Sequence, residues 1–338
     1  MRVSTRRPGM NDVARAAGVS HQTVSRVLNN HPNVRDETRD RVLAAIADLG
    51  YRRNSAARTL VTQRSGTVGV VTTGSFSFGP SQTLVAIEEA ARETGYFITV
   101  ATLRTVDAES MRDALDHLMQ QGVDGIVVIA PHAEVVDAVR AAHEQLPVVV
   151  VAALVDPPES VTTVSVDQVL GARAVVDHLA GLGHREIVHV SGPAGWLDAE
   201  ARTAGWRGQS KASGLEVPDV VEGDWTSGCG YEIGRRMAAE GAPTAVFAAN
   251  DHLALGLLRA FHEAGMRVPR DVSVVGFDDI TGSEDFIPPL TTVRPGFVDL
   301  GHQIIETLRG LLDGMTVGDA VLVPELVVRA STASPRRA

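Results

Sequence analysis

DVARAAGVSHQTVSRVLN, residues 12–29, contains two short amphipathic patterns separated by a single glycine. The first pattern predicts a helix over residues 11–17, with the polar pair Asn11-Asp12 as its cap and apolar side chains at helical spacing. Gly18 is the expected end of that helix, and the second pattern predicts a helix from His21 to Leu28. Two short helices joined by a glycine-containing turn are typical of a helix-turn-helix unit.

A third helix is predicted from Asp36 to Leu49, with Gly50 as its stop. Its expected apolar face comprises Val42, Leu43, Ile46 and Leu49. This face would pack against the apolar sides of the first two helices and complete a small all-α domain.

The polar side of the second helix carries residue types that read DNA. Gln and Arg form two-point hydrogen bonds with adenine and guanine edges in the major groove, so Gln22 and Arg26 are the predicted base readers, with His21 as a third. Short polar side chains suit phosphate contacts, and the candidates are Ser20, Thr23, Ser25 and Asn29. Taken without further context, the same side chains would also suit the exposed side of an ordinary helical bundle.

The charge distribution favours nucleic-acid binding by the N-terminal region alone. Residues 1–64 hold twelve arginines and five acidic side chains, whereas the whole chain has a net charge of −10. A polyanion would repel the acidic remainder of the chain. On charge alone, a basic surface arm would explain the same asymmetry.

The composition argues against several other protein classes. Lys211 is the only lysine, so no Gly-Lys-Ser/Thr loop is present to form a P-loop nucleotide site. Cys229 is the only cysteine, which suits a reducing cytoplasm. The longest apolar run, residues 146–155, is shorter than the ~18 residues that indicate a membrane span, and the N-terminus lacks the apolar core of a signal peptide. We therefore expect a cytoplasmic, nucleoid-associated protein with no membrane partner.

Residues 12–29 closely resemble the DNA-binding domain of the LacI/GalR family of transcriptional regulators. The resemblance continues through Leu49-Gly50-Tyr51 and through NSAARTL, residues 54–60. It implies that residues 54–60 form a hinge helix, which folds on operator DNA and inserts a leucine, matched by Leu60, into the minor groove. Asn54 and Ala57 are the other DNA contacts that the resemblance implies in the hinge.

Beyond the linker, short Val- and Ile-rich runs alternate with helical patterns, which predicts parallel sheets covered by helices on both faces. The predicted strands are residues 68–71, 97–101, 125–130, 148–151, 187–190, 245–248 and 272–277. The resemblance implies an α/β periplasmic-binding-protein-like body of two lobes, each a parallel doubly wound sheet, joined by three crossing segments around a ligand cleft.

Domain boundaries follow from these patterns and from the resemblance. They are a helix-turn-helix domain over residues 1–53, a hinge and linker over 54–64, a first lobe over 65–165 and 293–330, a second lobe over 166–292, and a short tail over 331–338.

Polar and aromatic residues follow several predicted strands, at the edge where open parallel sheets bind ligands. Asp278 and Asp279 come directly after residues 272–277, and Asn250 follows residues 245–248. Asp, Asn and Arg side chains hydrogen-bond sugar hydroxyls, while an aromatic face packs on the sugar ring.

The resemblance implies a sugar site with these residue types. Arg202, Asn250 and Asp278 would hydrogen-bond the sugar, Trp225 and Phe297 would pack against it, and Ser77 and Phe78 would lie at the rim. Two polar positions of the family site do not carry over, because Ile129 and Ala152 are apolar. From the residues alone, Asp278 and Asn250 could instead cap the helices that follow them, and Trp225 could belong to the core.

These features predict a sequence-specific transcriptional regulator rather than an enzyme. We expect a repressor of sugar-utilisation genes that a small saccharide, such as a galactoside, releases from palindromic double-stranded operator DNA. The resemblance implies a homodimer, and the helix from Gln82 to Glu93 is the expected interface. Because no leucine heptads follow Arg329, we expect the dimers not to assemble further into tetramers. No cofactor or metal is expected.

Three alternatives stay open. The same fold could respond to a purine or a phosphorylated metabolite as a corepressor. A two-lobed hydrolase could use Asp278 and Asp279 as paired carboxylates, although neighbouring side chains at a strand end usually point opposite ways. A solute-binding protein would share the lobes but would require a signal peptide in place of the basic N-terminal domain.

Overall fold

The computed structural model describes residues 8–28, 31–51, 64–73, 78–129, 132, 138–139, 142, 145–153 and 161–336. The chain divides into two compact units, Met1–Ser65 and Gly66–Ala338.

The N-terminal unit contains α1 (Met10–Ala17), α2 (His21–Leu28) and α3 (Asp36–Leu49), which confirms the three predicted helices. The predicted cap of α1 is wrong by two residues. Gly9 occupies the cap position, and its backbone N–H donates to the Asp12 carboxylate at 2.8 Å, so Asn11 and Asp12 lie inside the helix. Gly18 and Gly50 end α1 and α3 in the left-handed conformation, with φ of 63° and 59°.

Val13, Val24 and Val42 are fully buried and join the three helices in one core. Leu43 was predicted to face this core but is 50% exposed. It follows Val42 by one residue and therefore lies about 100° around a helix of 3.6 residues per turn. The core face of α3 continues instead through Ala45, Ile46 and Leu49.

The strands of the body form two six-stranded sheets. They are β1 (Thr67–Thr73), β2 (Phe97–Leu103), β3 (Gly125–Ile129), β4 (Val148–Val151), β5 (Thr162–Val166), β6 (Val188–Ser191), β7 (Val221–Glu222), β8 (Ala245–Ala248), β9 (Ser273–Phe277), β10 (Thr291–Arg294), β11 (Ala320–Leu322) and β12 (Glu325–Val327). The orders are β11-β5-β4-β3-β1-β2 and β12-β10-β9-β8-β6-β7. Every pair is parallel except β10 with β12. The two sheets therefore repeat one doubly wound order.

Helices cover both faces of each sheet. They are α4 (Phe78–Glu93), α5 (Ala108–Gln120), α6 (Gln168–Leu182), α7 (Leu197–Ala212), α8 (Ser227–Glu240), α9 (Asp251–Glu263) and α10 (Phe297–Leu312). The first sheet packs against α5 on one face and against α4 and α10 on the other. The second sheet packs against α8 and α9 on one face and against α6 and α7 on the other. None of the described helices combines the length and apolar character that a membrane span requires.

The chain passes between the lobes three times, after β5, after β10 and after β11. The predicted boundary of the first lobe is wrong at its C-terminal end. Residues 293–330 were assigned to that lobe, but β10 and β12 pair within the second sheet. The short strand β12 directly follows Pro324 and pairs with β10 at the edge of the second sheet. The chain therefore returns to the second lobe after β11.

The predicted tail also contributes to the second lobe. Ser331 is fully buried, where its hydroxyl accepts from the Thr291 N–H at 2.8 Å and donates to the Val274 carbonyl at 2.6 Å. Its own carbonyl accepts from the Val274 N–H at 2.9 Å. Ser331 is therefore hydrogen-bonded to both β9 and β10.

We expect Ser331→Ala to lower the free energy of unfolding by about 1–3 kcal/mol, because the buried Thr291 N–H loses its acceptor. Chemical denaturation monitored by circular dichroism measures the loss. Exposed Ser334→Ala is the matched control and should match the wild type. Equal stability of both variants would show that Ser331 does not hold the lobe.

Candidate DNA-recognition surface and effector cleft

The second helix presents its polar side to solvent in the N-terminal unit. His21, Gln22 and Arg26 are exposed, whereas Val24 and Val27 are buried on the opposite side. The apolar pair fixes the rotation of α2, so the three predicted base readers share one exposed side of the helix, and their contact with DNA bases stays a prediction.

Ser20 and Thr23 also organise the start of α2. The Ser20 hydroxyl accepts from the Thr23 N–H at 3.1 Å, and the two hydroxyls lie 2.9 Å apart. This is an N-cap, which satisfies one of the free donors at a helix start. Ser25 lies half-buried on the same helix. Four other predicted DNA contacts, Asn29, Asn54, Ala57 and Leu60, and the predicted rim residue Ser77 lie outside the described residues.

A cavity of about 50 Å³ lies between the two lobes of the body, at the carboxyl ends of their strands. The first lobe lines it with Thr83, Ile129, Ala152, Ser165 and Phe297. The second lobe lines it with Gln168, Asp198, Arg202 and Asp278. The cavity therefore combines a mainly apolar side with a side that carries the charges.

Arg202 is the centre of the charged side. It lies on α7 and is 5% exposed. Its Nε donates to the Gln168 Oε1 at 2.8 Å, its Nη1 donates to the Ala249 carbonyl, and its guanidinium carbon lies 3.7 Å from the centre of the Phe277 ring. The Nη2 atom lies 3.6 Å from the Asp278 carboxylate. The guanidinium is thus held by contacts on several sides before any ligand binds.

Asp278 is the partner of Arg202 and lies at the end of β9 with a left-handed φ of 107°. Burial raises the pKa of this carboxyl to about 7, while nearby Arg202 acts in the opposite direction. The carboxylate lines the cavity and hence can meet a ligand there.

Asp279 points away from this pair. Its carboxylate accepts from Arg294 at 2.6 Å, from Arg329 at 2.7 Å and from the Ser283 hydroxyl at 2.9 Å. These contacts lower its pKa against the effect of burial. The two aspartates therefore do not form the paired carboxylates of a hydrolase. In the part of the chain that the structure describes, no group of three or more His, Cys, Asp or Glu side chains could hold a metal ion.

Asn250 caps α9, which was one of the two roles open from the sequence. Its Oδ1 accepts from the Leu253 N–H at 2.8 Å, and its Nδ2 donates to the Trp225 carbonyl at 3.1 Å. The second bond attaches the segment that carries Trp225 to the start of α9. A direct contact of Asn250 with a ligand stays a prediction.

Trp225 is half-buried and has an unusual backbone, with φ of 72°. Its ring lies against Gly192 so closely that a Cβ built at Gly192 would come within 2.1 Å of a ring carbon. The ring centre is 5.7 Å from the Arg202 guanidinium and 5.8 Å from the Trp196 ring, which meets it edge on. Glycine at position 192 is therefore what permits the indole to lie beside Arg202.

Aromatic rings from the first lobe extend the site. Phe297, at the start of α10, meets Phe78 of α4 edge on at 5.9 Å, and Phe78 meets His252 of the second lobe at 6.5 Å. The structure therefore brings together Arg202, Asp278 and Phe297 at the cavity and places Trp225, Asn250 and Phe78 beside it.

Sequence reasoning missed Gln168, Trp196 and Asp198. Asp198 precedes Arg202 by four residues on α7, so both lie on one side of that helix, and this spacing was the available signal. Gln168 follows the crossing after β5, a strand that was not predicted. Trp196 had no comparable signal, because its place depends on Trp225 and on His132 of the first lobe.

Two family models match the chain. The model described as bacterial regulatory proteins, lacI family, matches residues 9–54, and the periplasmic binding protein-like domain matches residues 176–332. The chain is 36% identical over 327 residues to the Lactose operon repressor of Escherichia coli (strain K12), which covers 96% of this chain and 90% of that protein.

Solved structures match most of the length of the chain. The lac repressor dimer bound to operator and the anti-inducer ONPF has a TM-score of 0.87 and 35% identity, covering 97% of this chain and 100% of that chain. The transcriptional regulator CelR–cellobiose complex has a TM-score of 0.72 and 31% identity, covering 96% and 100%. With a helix-turn-helix DNA-binding domain and a periplasmic-binding-protein-like body, the chain belongs to the LacI family of bacterial regulatory proteins.

Proposed function

We propose that this protein is a cytoplasmic transcriptional repressor that binds a palindromic operator as a homodimer and is released by a small saccharide held between its lobes. The observation that carries the proposal is the buried Arg202–Asp278 pair at an interlobe cavity, beside the indole of Trp225. An arginine and a carboxylate that converge on a concave site beside an aromatic face provide what sugar recognition requires.

The size of the cavity connects ligand binding to a movement of the lobes. Its volume of about 50 Å³ is far below the ~300–1,000 Å³ of typical small-molecule sites. A saccharide therefore requires a different separation of the lobes from the present one. A ligand that binds one separation better than another shifts the population of the two, which is the basis of allosteric control.

Among the other ligand classes, a phosphorylated metabolite receives the least support. Among the described residues that line the cavity, Arg202 is the only cationic side chain, and its donors already meet Gln168, Ala249 and Asp278. A purine is the second candidate, because the indole of Trp225 offers a planar face on which a base could stack. Calorimetry with a saccharide and a purine distinguishes the two.

Dimerisation of the first lobe is supported by its exposed apolar surface. Phe97 and Val100 on the edge strand β2 are 74% and 46% exposed, and Val85 on α4 is 57% exposed. Exposed apolar side chains on a sheet edge commonly mark a surface that another chain covers. The proposed interface therefore combines β2 with the helix predicted from Gln82 to Glu93.

We expect Gln22→Ala to weaken binding to the operator roughly 10- to 100-fold while binding to scrambled DNA of equal length is nearly unchanged, because a base contact contributes only to the specific complex. Fluorescence anisotropy at fixed salt measures both affinities. Exposed Arg235→Ala, on α8 of the body, is the control. An equal loss on both DNAs would reassign Gln22 to the DNA backbone.

We expect the double variant Arg202→Met/Asp278→Asn to keep its operator affinity and to lose release by the saccharide. Both charges are removed together because loss of one partner would leave the other buried and uncompensated. Operator release is measured by titration of the sugar into the DNA complex. Exposed Arg207→Met on the same helix is the matched control. Normal release by the double variant would remove this pair from the site.

We expect Gly192→Ala to reduce saccharide affinity at least 10-fold, because the added Cβ would displace the Trp225 ring. Calorimetry measures the affinity, and the intrinsic tryptophan emission reports the displacement. Gly208→Ala is the control, since a Cβ at this position of α7 meets nothing within 4 Å. Unchanged affinity together with altered emission would place Trp225 outside the sugar contacts.

A further inference from the structure

Asp198 is a second carboxyl group of the cleft, besides Asp278. It lies in the first turn of α7, one turn before Arg202, and it lines the interlobe cavity. Its Oδ1 lies 3.4 Å from the backbone nitrogen of Ala153, which directly follows the end of the first lobe's β4. Asp198 thus belongs to the second lobe but reaches the first.

The charges of the cavity do not balance. In the part of the cavity wall that the structure describes, Asp198 and Asp278 are both carboxyl groups and Arg202 is the only cation. Arg202 is committed to Asp278, Gln168 and the Ala249 carbonyl. The hydrogen bond that the structure describes for Asp198 is the long one from the Ala153 N–H. Burial raises the pKa of Asp198, whereas Arg202 and that N–H act in the opposite direction.

The described residues on the opposite side of the cavity offer no charged partner. Ile129 and Ala152, at the carboxyl ends of β3 and β4, present apolar side chains where the first lobe faces Asp198 and Arg202. A desolvated carboxyl requires hydrogen-bond donors, and the hydroxyl groups of a ligand in the cavity would supply them.

We propose that Asp198 contacts the effector and selects its charge class: it accepts hydrogen bonds from hydroxyl or ammonium groups of a neutral or amino sugar, and it repels phosphorylated and acidic sugars. This proposal rests on the proposed function, because it requires a saccharide in the cleft. The contact from Asp198 to Ala153 also means that a sugar donor competes with the first lobe for the same carboxylate.

The test is calorimetric titration of the full-length protein with galactose, cellobiose, glucosamine, glucose 6-phosphate and galacturonate. For the wild type we expect a neutral or amino sugar to bind at least 10-fold more tightly than the phosphorylated and acidic sugars. Asp198→Ala should weaken the best ligand roughly 10- to 100-fold. Asp198→Asn should bring the affinities for phosphorylated and neutral sugars closer together, because it removes the charge and keeps the shape.

Glu200→Gln is the matched control, since it removes one negative charge from the same turn of α7 at an exposed position. A purely structural role for Asp198 would change the melting temperature or the operator affinity without changing the order of preference among the sugars. That result would overturn the proposal, as would wild-type protein that binds glucose 6-phosphate as tightly as it binds the neutral sugars.

The same titrations distinguish a wrong role for Asp198 from a wrong saccharide function. If the wild type binds a sugar and Asp198→Ala binds it equally well, only the role of Asp198 is rejected. If the wild type binds none of the sugars but binds operator DNA, the saccharide function is rejected and the role of Asp198 with it.

Discussion

Burial of one guanidinium is the constraint on which the architecture of the cleft depends. Arg202 is only 5% exposed, and a buried charge destabilises the fold unless its hydrogen-bond donors have partners. Its contacts come from Gln168 on α6, from the carbonyl of Ala249 after β8, and from Phe277 and Asp278 at the end of β9. The arginine therefore fixes where these segments of the second lobe meet, and the proposed effector surface is a consequence of that arrangement.

The backbone at Asp278 and Asp279 adopts an unusual conformation, and Asp278 contacts Arg202. Asp278 and Asp279 both have positive φ, and their side chains point to different partners. Asp251 stabilises the turn, because it accepts from the Ile280 N–H at 2.9 Å and from the Thr292 hydroxyl at 2.5 Å. A Cβ at Gly276 would come within 2.1 Å of that carboxylate. Strain at adjacent residues is thus maintained by buried hydrogen bonds, as is common near binding sites.

The sequence predicted those parts of the fold in which local pattern and tertiary structure agree. Runs such as VVVV, residues 148–151, are buried on both faces and read as strands without context. The strand at residues 162–166 is equally buried but reads TTVSV, and β7 and β12 have only two and three residues, so their identity depends on a neighbouring strand. Asp278 was found because it directly follows a strand and Arg202 because the family resemblance implies it, whereas Asp198 acquires its environment from the other lobe.

The contacts between the lobes determine how a ligand could act at a distance. Asp198 meets Ala153 across the cleft, and Phe78 meets His252 at its side. Both contacts depend on the present separation of the lobes, and a sugar that enters so small a cavity must change that separation or replace the contacts. Part of the binding free energy of the sugar would then change the separation of the two lobes. Coupling between two binding sites is reciprocal. If a sugar changes the affinity for the operator by some factor, the operator must change the affinity for the sugar by the same factor.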